Sequence, residues 1–541
     1  MNPSYSFGRR RTLVAALALL AAVGLSYHQT LSNDFAWDDN YIVLENPAIR
    51  DLSSVPDLFT QPWAQGVTYD QGDVQNRAYY RPLALASMAV DWALAGASSA
   101  TFHATNMVLH LLTSLFLFAW LRLIFERRPS AGPGPDTDRP SAGNGSWLWP
   151  LGIALVYAVH PVHTEAVNLV SYRTTLMSGM FVFASLWAFT ADMHRVLEST
   201  GPVGPGPIRV IAGLVFFACG LLSKETGLVA VGLLLVQDVL LGGLNRKRLL
   251  KVYLPLAAIS VVYLVVRSQV TGGGVYSFFE GLDPLQGALM VPRIFFLYVR
   301  LCVFPDPLCP FYDWNVLGVP GSVLEPDILS GAVLLFAMVA AAVLLRKRQP
   351  LTSFGLVFFL VALLPVSHVV PFFDAAGERF LYVPLAGFLI AVAGAARALP
   401  VGPGLKKVGL TLALIVFTVF IGLTMKRTAE WKDSETILRA STRDFPASLS
   451  ANLGLGRLLI TQGRPDEAAI NLKAAVRIAP DLVVAHGLLA VAQARSGDVR
   501  DARLTLMKAP LPGSGLPTAA QIARRELMKK HEFRLMVKLG L

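Results

Sequence analysis

Asn33-Asp34-Phe35-Ala36-Trp37-Asp38-Asp39-Asn40 directly follows an apolar run, Thr12 to about Tyr27, that opens on Gly8-Arg9-Arg10-Arg11. A basic head before an apolar stretch is the pattern of a secretory signal, or of a first membrane span with its N-terminus in the cytoplasm. No clean small-x-small cleavage site precedes Asn33 and further apolar runs follow, so we read an uncleaved span. Asp38 and Asp39 then stand just past a membrane helix, at the outer surface. Ionisable groups at membrane depth mark a functional site or pair with one another. The plainer alternative is a helix cap or a solvated loop pair.

Composition places the rest of the chain around that stretch. Of 541 residues, 54% are hydrophobic and only 15% charged, too little charge for a soluble protein of this size. Several runs approach the ~20 residues that cross a bilayer as helix. The net charge of +11 reads as Lys and Arg in cytoplasmic loops, and no basic-aromatic patch points to nucleic acid. Cys219, Cys302 and Cys309 make neither a disulfide framework nor a metal knuckle. Cys302 and Cys309 could pair if both lie outside; unpaired thiols are the simpler expectation.

The expected fold is all-α. After the first span, we place others at about Phe102–Ile124, Trp147–Val159, Thr174–Met193, Val210–Leu222, Leu228–Leu241 and Val252–Val266. Four more follow at Ile328–Leu345, Phe354–Val370, Phe380–Ala395 and Val408–Met425, eleven in all. They form a membrane domain over residues 1–425, with outer loops at about 32–101 and 267–327. In the first loop, Tyr79 to Leu94 is moderately apolar but interrupted by Asp91, which predicts a helix lying on the membrane surface. In the second, Met290 to Phe304 carries Arg293 and Arg300 on one helical face and predicts a partly embedded outer helix. Leaving that segment out of the count keeps the basic loops Asn245–Lys251, Arg346–Arg348 and Lys406–Lys407 inside. Pro129–Ser146 reads as a flexible cytoplasmic linker, and a second Gly/Pro loop ends at Arg209.

The chain changes character at Lys426. Leu438, Leu472 and Leu506 recur every 34 residues, as do Pro446/Pro480, Gly463/Gly497 and Ala468/Ala502. That period, with small residues at helix crossings, is the tetratricopeptide pattern. Leu449–Leu482 fits it best, and residues 426–541 form the expected repeat domain, outside with the long loops.

Under this topology Asp38, Asp39, Arg81, His160, His163, Glu165, Arg173, Lys224, Glu225, Glu378 and Arg379 all fall at the outer side. Residues so scattered along the chain yet assigned to one face point to a single cavity. Other readings stay open for each group. His160, His163 and Glu165 are zinc-ligand types, but their spacing matches no strong metal motif, so we assign no metal and leave a divalent cation as an alternative. Lys224 and Glu225 could be a mutual ion pair capping a span, and Arg379 an interfacial anchor with Glu378 as its partner. The functional reading gives them complementary work. Transfer of a sugar from a lipid phosphate to a hydroxyl needs a carboxylate to take the proton. It also needs fixed positive charge where negative charge builds on the leaving phosphate; Arg suits this through its two-pronged bond to phosphate.

Five motifs then occur in order: Phe35-Ala36-Trp37-Asp38-Asp39-Asn40 with Asn46-Pro47; Tyr80-Arg81-Pro82-Leu83; His160-Pro161-Val162-His163-Thr164-Glu165-Ala166-Val167; Leu222-Ser223-Lys224-Glu225; and Glu378-Arg379-Phe380-Leu381-Tyr382-Val383-Pro384. The ordered set, followed by repeats, resembles the transmembrane and tetratricopeptide-repeat O-mannosyltransferases of animals and their bacterial relatives, within the GT-C superfamily. The resemblance covers about Phe35 to Pro384 and the repeats. It implies a polyprenyl-phosphate-linked sugar donor, a catalytic Asp in the first outer loop, and transfer with inversion to a hydroxyl, with Ser or Thr of a protein as acceptor ahead of a glycan or lipid. On that basis Asp38 is the expected base and Asp39 its partner. Arg379 and Lys224 are expected on the lipid phosphate, supported by Arg81, His160, His163 and Glu165. Few repeats argue against an extended substrate-gripping groove. The Pro/Gly-rich loops and Ala/Leu/Val bias suggest a high-GC bacterium, hence undecaprenyl phosphate as donor lipid, the inner membrane as location and the periplasm as the outer side. A membrane scaffold in which the repeats bind partners is the competing class, and it needs none of these charged groups.

Overall fold

Pro82, Pro207, Pro284, Pro326, Pro350, Pro384 and Pro403 each open an apolar helix. At that position the missing N–H is no loss and the fixed φ already suits the first turn. In the computed structural model these helices, others like them and short 3-10 or π turns account for all regular structure; there is no strand among the described residues. The structure describes residues 3–63, 67, 79–126, 147–198, 206–272, 282–368, 374–512 and 517–541. The Pro129–Ser146 linker, residues 199–205 of the Gly/Pro loop and parts of both outer loops lie outside them.

Seven helical stretches are long and apolar enough to cross a membrane: Arg10–Ser32, Ser99–Phe125, Val170–Ala191, Arg246–Thr271, Pro284–Val303, Pro326–Leu345 and Pro403–Glu430. The expected spans at 147–159, 210–222, 228–241, 354–370 and 380–395 correspond to shorter helices, Leu148–Ala158, Pro207–Ser223, Val229–Leu240, Pro350–Leu363 and Pro384–Ala398. At ~1.5 Å per residue, most fall well short of the ~30 Å hydrocarbon layer. Each has a tight turn at one end, Pro161–His163, Glu225–Leu228, Leu364–Val366 or Glu378–Leu381. All of those turns but Leu364–Val366 carry the polar motifs.

Two expectations for the outer loops change. The Pro82–Ala95 helix does not lie open on a surface: Ala84, Leu85, Met88 and Ala89 are buried with Phe35, Ile42, Val43, Ile49, Leu58, Phe102, Val170 and Met177. Asp91 interrupts its apolar face because Arg173 meets it there, Nη2 to Oδ2 at 2.6 Å, both side chains buried. The second helix runs Pro284–Val303, longer than the segment read from sequence. Arg293, in its middle, pairs with Glu325 and, at 2.7 Å, with Asp327 at the start of the Pro326–Leu345 helix.

The Cα framework divides into two units: residues to Leu308 with Gly321–Lys432, and Cys309–Pro320 with Asp433–Leu541. The second unit is a stack of antiparallel helix pairs, Leu449–Thr461 with Pro465–Ile478 and Val483–Arg495 with Val499–Lys508. Ser434–Asp444 precedes them and Ala519–Lys529 with Phe533–Leu539 follows. Asp313 ties the inserted segment in. Its Oδ1 accepts from the Asn315 and Val316 amides, while Oδ2 accepts from Ser448 Oγ and the Ser450 amide, both at 3.0 Å. None of Cys219, Cys302 and Cys309 is in a disulfide.

Candidate active site

Trp37 sets the direction of the Asp38-Asp39 pair. Its φ of 50° is left-handed, a conformation that costs a residue with a Cβ roughly 1–2 kcal/mol and that clusters at functional sites. The chain then tightens into the π-helical turn Asn40–Leu44. The two carboxylates consequently part company. Asp39 is fully buried and accepts from the amides of Val170 at 2.9 Å and Ser171 at 2.7 Å, fixing the turn that starts the Arg173–Glu198 helix. Asp38 is half-buried, with no side-chain hydrogen bond among the described residues. Burial pushes its carboxyl up to about 6; Arg379 pulls against that rise, while Asp374 and Glu165 add to it. Burial likewise lifts Asp39, to about 7, against its bonds from Ser171 and Val170.

Arg379 lies at the centre of the charged cluster. Its backbone N–H donates to Glu165 Oε2 at 2.8 Å, its Nη1 pairs with Glu165 Oε1, and its Nη2 pairs with Asp374 Oδ2 at 2.6 Å. The guanidinium is sandwiched between Tyr172 and Phe380, at 4.4 and 4.5 Å from the ring centroids. Gly377 lies close against it: a Cβ there would stand 2.8 Å from Arg379 Nη1 and press on the guanidinium. With these acidic partners outweighing burial, Arg379 is held even more firmly charged than a free arginine.

Arg81 grips Glu225 with two bonds, Nε–Oε2 at 3.1 Å and Nη2–Oε1 at 2.7 Å, and stacks over Tyr79 at 4.1 Å. Burial raises the Glu225 carboxyl, but Arg81 outweighs it and brings it down to about 2. Lys224, the next residue, is left without a carboxylate partner among the described residues. It donates to Thr175 Oγ1 at 2.9 Å and sits 5.5 Å from the Phe380 ring centroid. Burial, reinforced by Arg81 and Arg379, pulls it down to about 7. Gly227 makes this turn possible, since a Cβ there would lie 2.7 Å from the Gly220 carbonyl carbon.

Not every expected site residue reaches this cluster. Arg173 is fully buried and, besides Asp91, bonds Asn106 Oδ1 and the Phe102 carbonyl, both at 2.9 Å; it is a strut under the site. His160 donates to the Cys302 carbonyl at 3.2 Å, and His163 lies among the Tyr157, Tyr382 and His110 rings. Burial keeps both imidazoles neutral, lowering His160 to about 4 and His163 well below its usual value. Glu378 is buried beside Arg379. Among the described residues no three His, Cys, Asp or Glu side chains are grouped to hold a metal ion. Sequence reasoning missed Asp374, whose one signal is standing five residues before Arg379, and Tyr172, which looked like packing.

The site thus holds a half-buried Asp38 in the field of Arg379, and a Lys224 without a carboxylate partner among the described residues. The human protein O-mannosyl-transferase TMTC1 is 25% identical over 530 residues, covering 88% of this chain and 57% of its own length. The mouse protein O-mannosyl-transferase TMTC4 is 24% identical over 487 residues, 82% of this chain and 64% of its own. This chain is a relative of those O-mannosyl-transferases. The fruit-fly protein O-mannosyl-transferase Tmtc3 matches at 24% over 540 residues, 88% of this chain and 56% of its own. The chain therefore spans less than two thirds of the length of these relatives. A tetratricopeptide repeat family model matches residues 459–521, within the second unit. No solved structure matches.

Proposed function

We propose that this protein is a membrane glycosyltransferase. It moves a hexose, mannose first among candidates, from a polyprenyl-phosphate donor to a hydroxyl of a protein Ser or Thr, with inversion. The relatives' names supply the sugar and the protein acceptor. The observation that carries the chemistry is the division of labour between adjacent aspartates: Asp39 is held by two amides, whereas Asp38 is unbonded within the described protein, tuned near 6 and set in the field of Arg379.

In the reaction the acceptor hydroxyl attacks the anomeric carbon and gives its proton to Asp38, with Asp39 fixing the turn that presents it. The carbon–oxygen bond to phosphate breaks, and the bonding pair leaves with polyprenyl phosphate. Lys224 and Arg379 stabilise the charge that develops there. Arg81 and Glu225 hold the Lys224 turn; Glu165 holds Arg379. Transfer takes place at the periplasmic face of a bacterial inner membrane, the N-terminus is cytoplasmic, and the repeat unit holds the protein acceptor.

The experiment is sugar release from a synthetic polyprenyl-phospho-mannose by the purified protein, wild type against Asp38→Asn. Loss of a general base removes about 10²–10⁴-fold in rate, so turnover should fall by that factor while donor binding is kept. Equal turnover by both proteins would take the base role from Asp38. No turnover by either would favour the scaffold.

A further inference from the structure

The Arg379 guanidinium is enclosed on all sides but one. Tyr172 and Phe380 cover its two faces, Gly377 lies against Nη1, and Glu165, only 1% exposed, takes the backbone N–H and Nη1. The arginine itself is 7% exposed. The remaining edge, at Nη2, is covered by Asp374, whose carboxylate is 34% exposed. An anion approaching Arg379 from solvent meets Asp374 first.

We propose that Asp374 is a placeholder: its carboxylate occupies the anion position on Arg379 in the empty site and is displaced when a phosphate ester arrives. The two partners of Arg379 differ in the property that matters for exchange. Glu165 is buried, and removing it would strand a buried charge; Asp374 is partly solvated, and water takes up its carboxylate on release. A phosphate brings two oxygens to the arginine edge, and a further oxygen, with a second charge in a monoester, for nearby Lys224, which lacks an acid partner among the described residues. In the empty site the carboxylate keeps the arginine charge compensated and its fork oriented. The ligand class is a phosphate monoester or diester, either as a prenyl phosphate or as the free ion. The idea rests on the donor reading above, and the test separates the two.

The test measures binding of farnesyl phosphate and of inorganic phosphate to the full-length protein in detergent. Wild type is compared with Asp374→Asn, Asp374→Glu and Asp374→Asn in an Arg379→Lys background. Removing a partly screened competing charge should tighten farnesyl phosphate about 3- to 10-fold in Asp374→Asn. Asp374→Glu should show no gain, and the gain should vanish when Arg379 is lysine. If wild type binds farnesyl phosphate and Asp374→Asn binds it equally or more weakly, the placeholder is wrong and the donor reading stands. If only inorganic phosphate binds, and binds tighter to Asp374→Asn, the placeholder stands and the donor reading falls. If no variant binds either probe, both fall.

Discussion

Asp38 and Lys224 titrate on either side of a narrow window, and the pH dependence of transfer follows from which form of each is needed. In the proposed reaction Asp38 acts unprotonated, so kcat/KM should rise with pH through about 6. Lys224 would act there protonated on phosphate, so kcat/KM should fall again above about 7. The profile is a bell with its top between those values, reporting the free enzyme. Lys224→Arg keeps its charge across this range and should remove the alkaline fall while leaving the acid limb in place. An alkaline limb unchanged in that variant would take Lys224 out of the charge balance.

Among the elements, the turns at the short helix ends bear the site, and their geometry rests on close backbone approaches. Gly227→Ala would push its turn away from Gly220 and carry Lys224 and Glu225 with it. The expected result is at least a tenfold fall in kcat/KM with kcat itself lowered, since the displaced Lys224 no longer meets the charge that develops on the leaving phosphate. Asp313 is the corresponding device in the repeat unit. It caps its own short turn and the helix that begins at Leu449. Loss of one such cap costs about 0.5–2 kcal/mol, so Asp313→Ala should lower the unfolding temperature of the repeat unit, read in the full chain, with no change in phosphate binding.

For the whole molecule, parity decides the topology we propose. Lys224 over the Phe380 ring brings the 223–225 turn and the 378–380 turn to one end of the first unit. An even number of crossings must therefore separate them. Five helices of more than ten residues intervene among the described residues, and Pro284–Val303 is tied to neighbouring elements by Arg293 to Glu325 and Asp327 and by Cys302 to His160. Length and composition alone would let it cross. Parity, with the other four crossing, keeps it at the outer side and the basic loops at 245–251 and 346–348 together inside. Single cysteines at Asp283 and Ser322, in a background with Cys219, Cys302 and Cys309 replaced, should both label from the periplasm. Labelling of Asp283 from the cytoplasm alone would make that helix a span.

The sequence by itself determined the class of the protein. Apolar runs near bilayer length, prolines at helix starts, a 34-residue period and five ordered motifs are local signals, each set by residues close in the chain. It also named most of the charged cluster, because an acid or a cation beside an apolar run is conspicuous wherever it folds. The roles within that cluster were decided only by tertiary structure. Asp38 and Asp39 look alike in sequence; what separates them is a pair of amides more than a hundred residues away. Arg173 and Arg379 both looked like members of one outer cluster, and only their distant partners, Asp91 and Asn106 for one, Glu165 and Asp374 for the other, place the first inside the fold and leave the second one open edge. Burial and partner choice are properties of residues brought together from afar, and no local spacing encodes them.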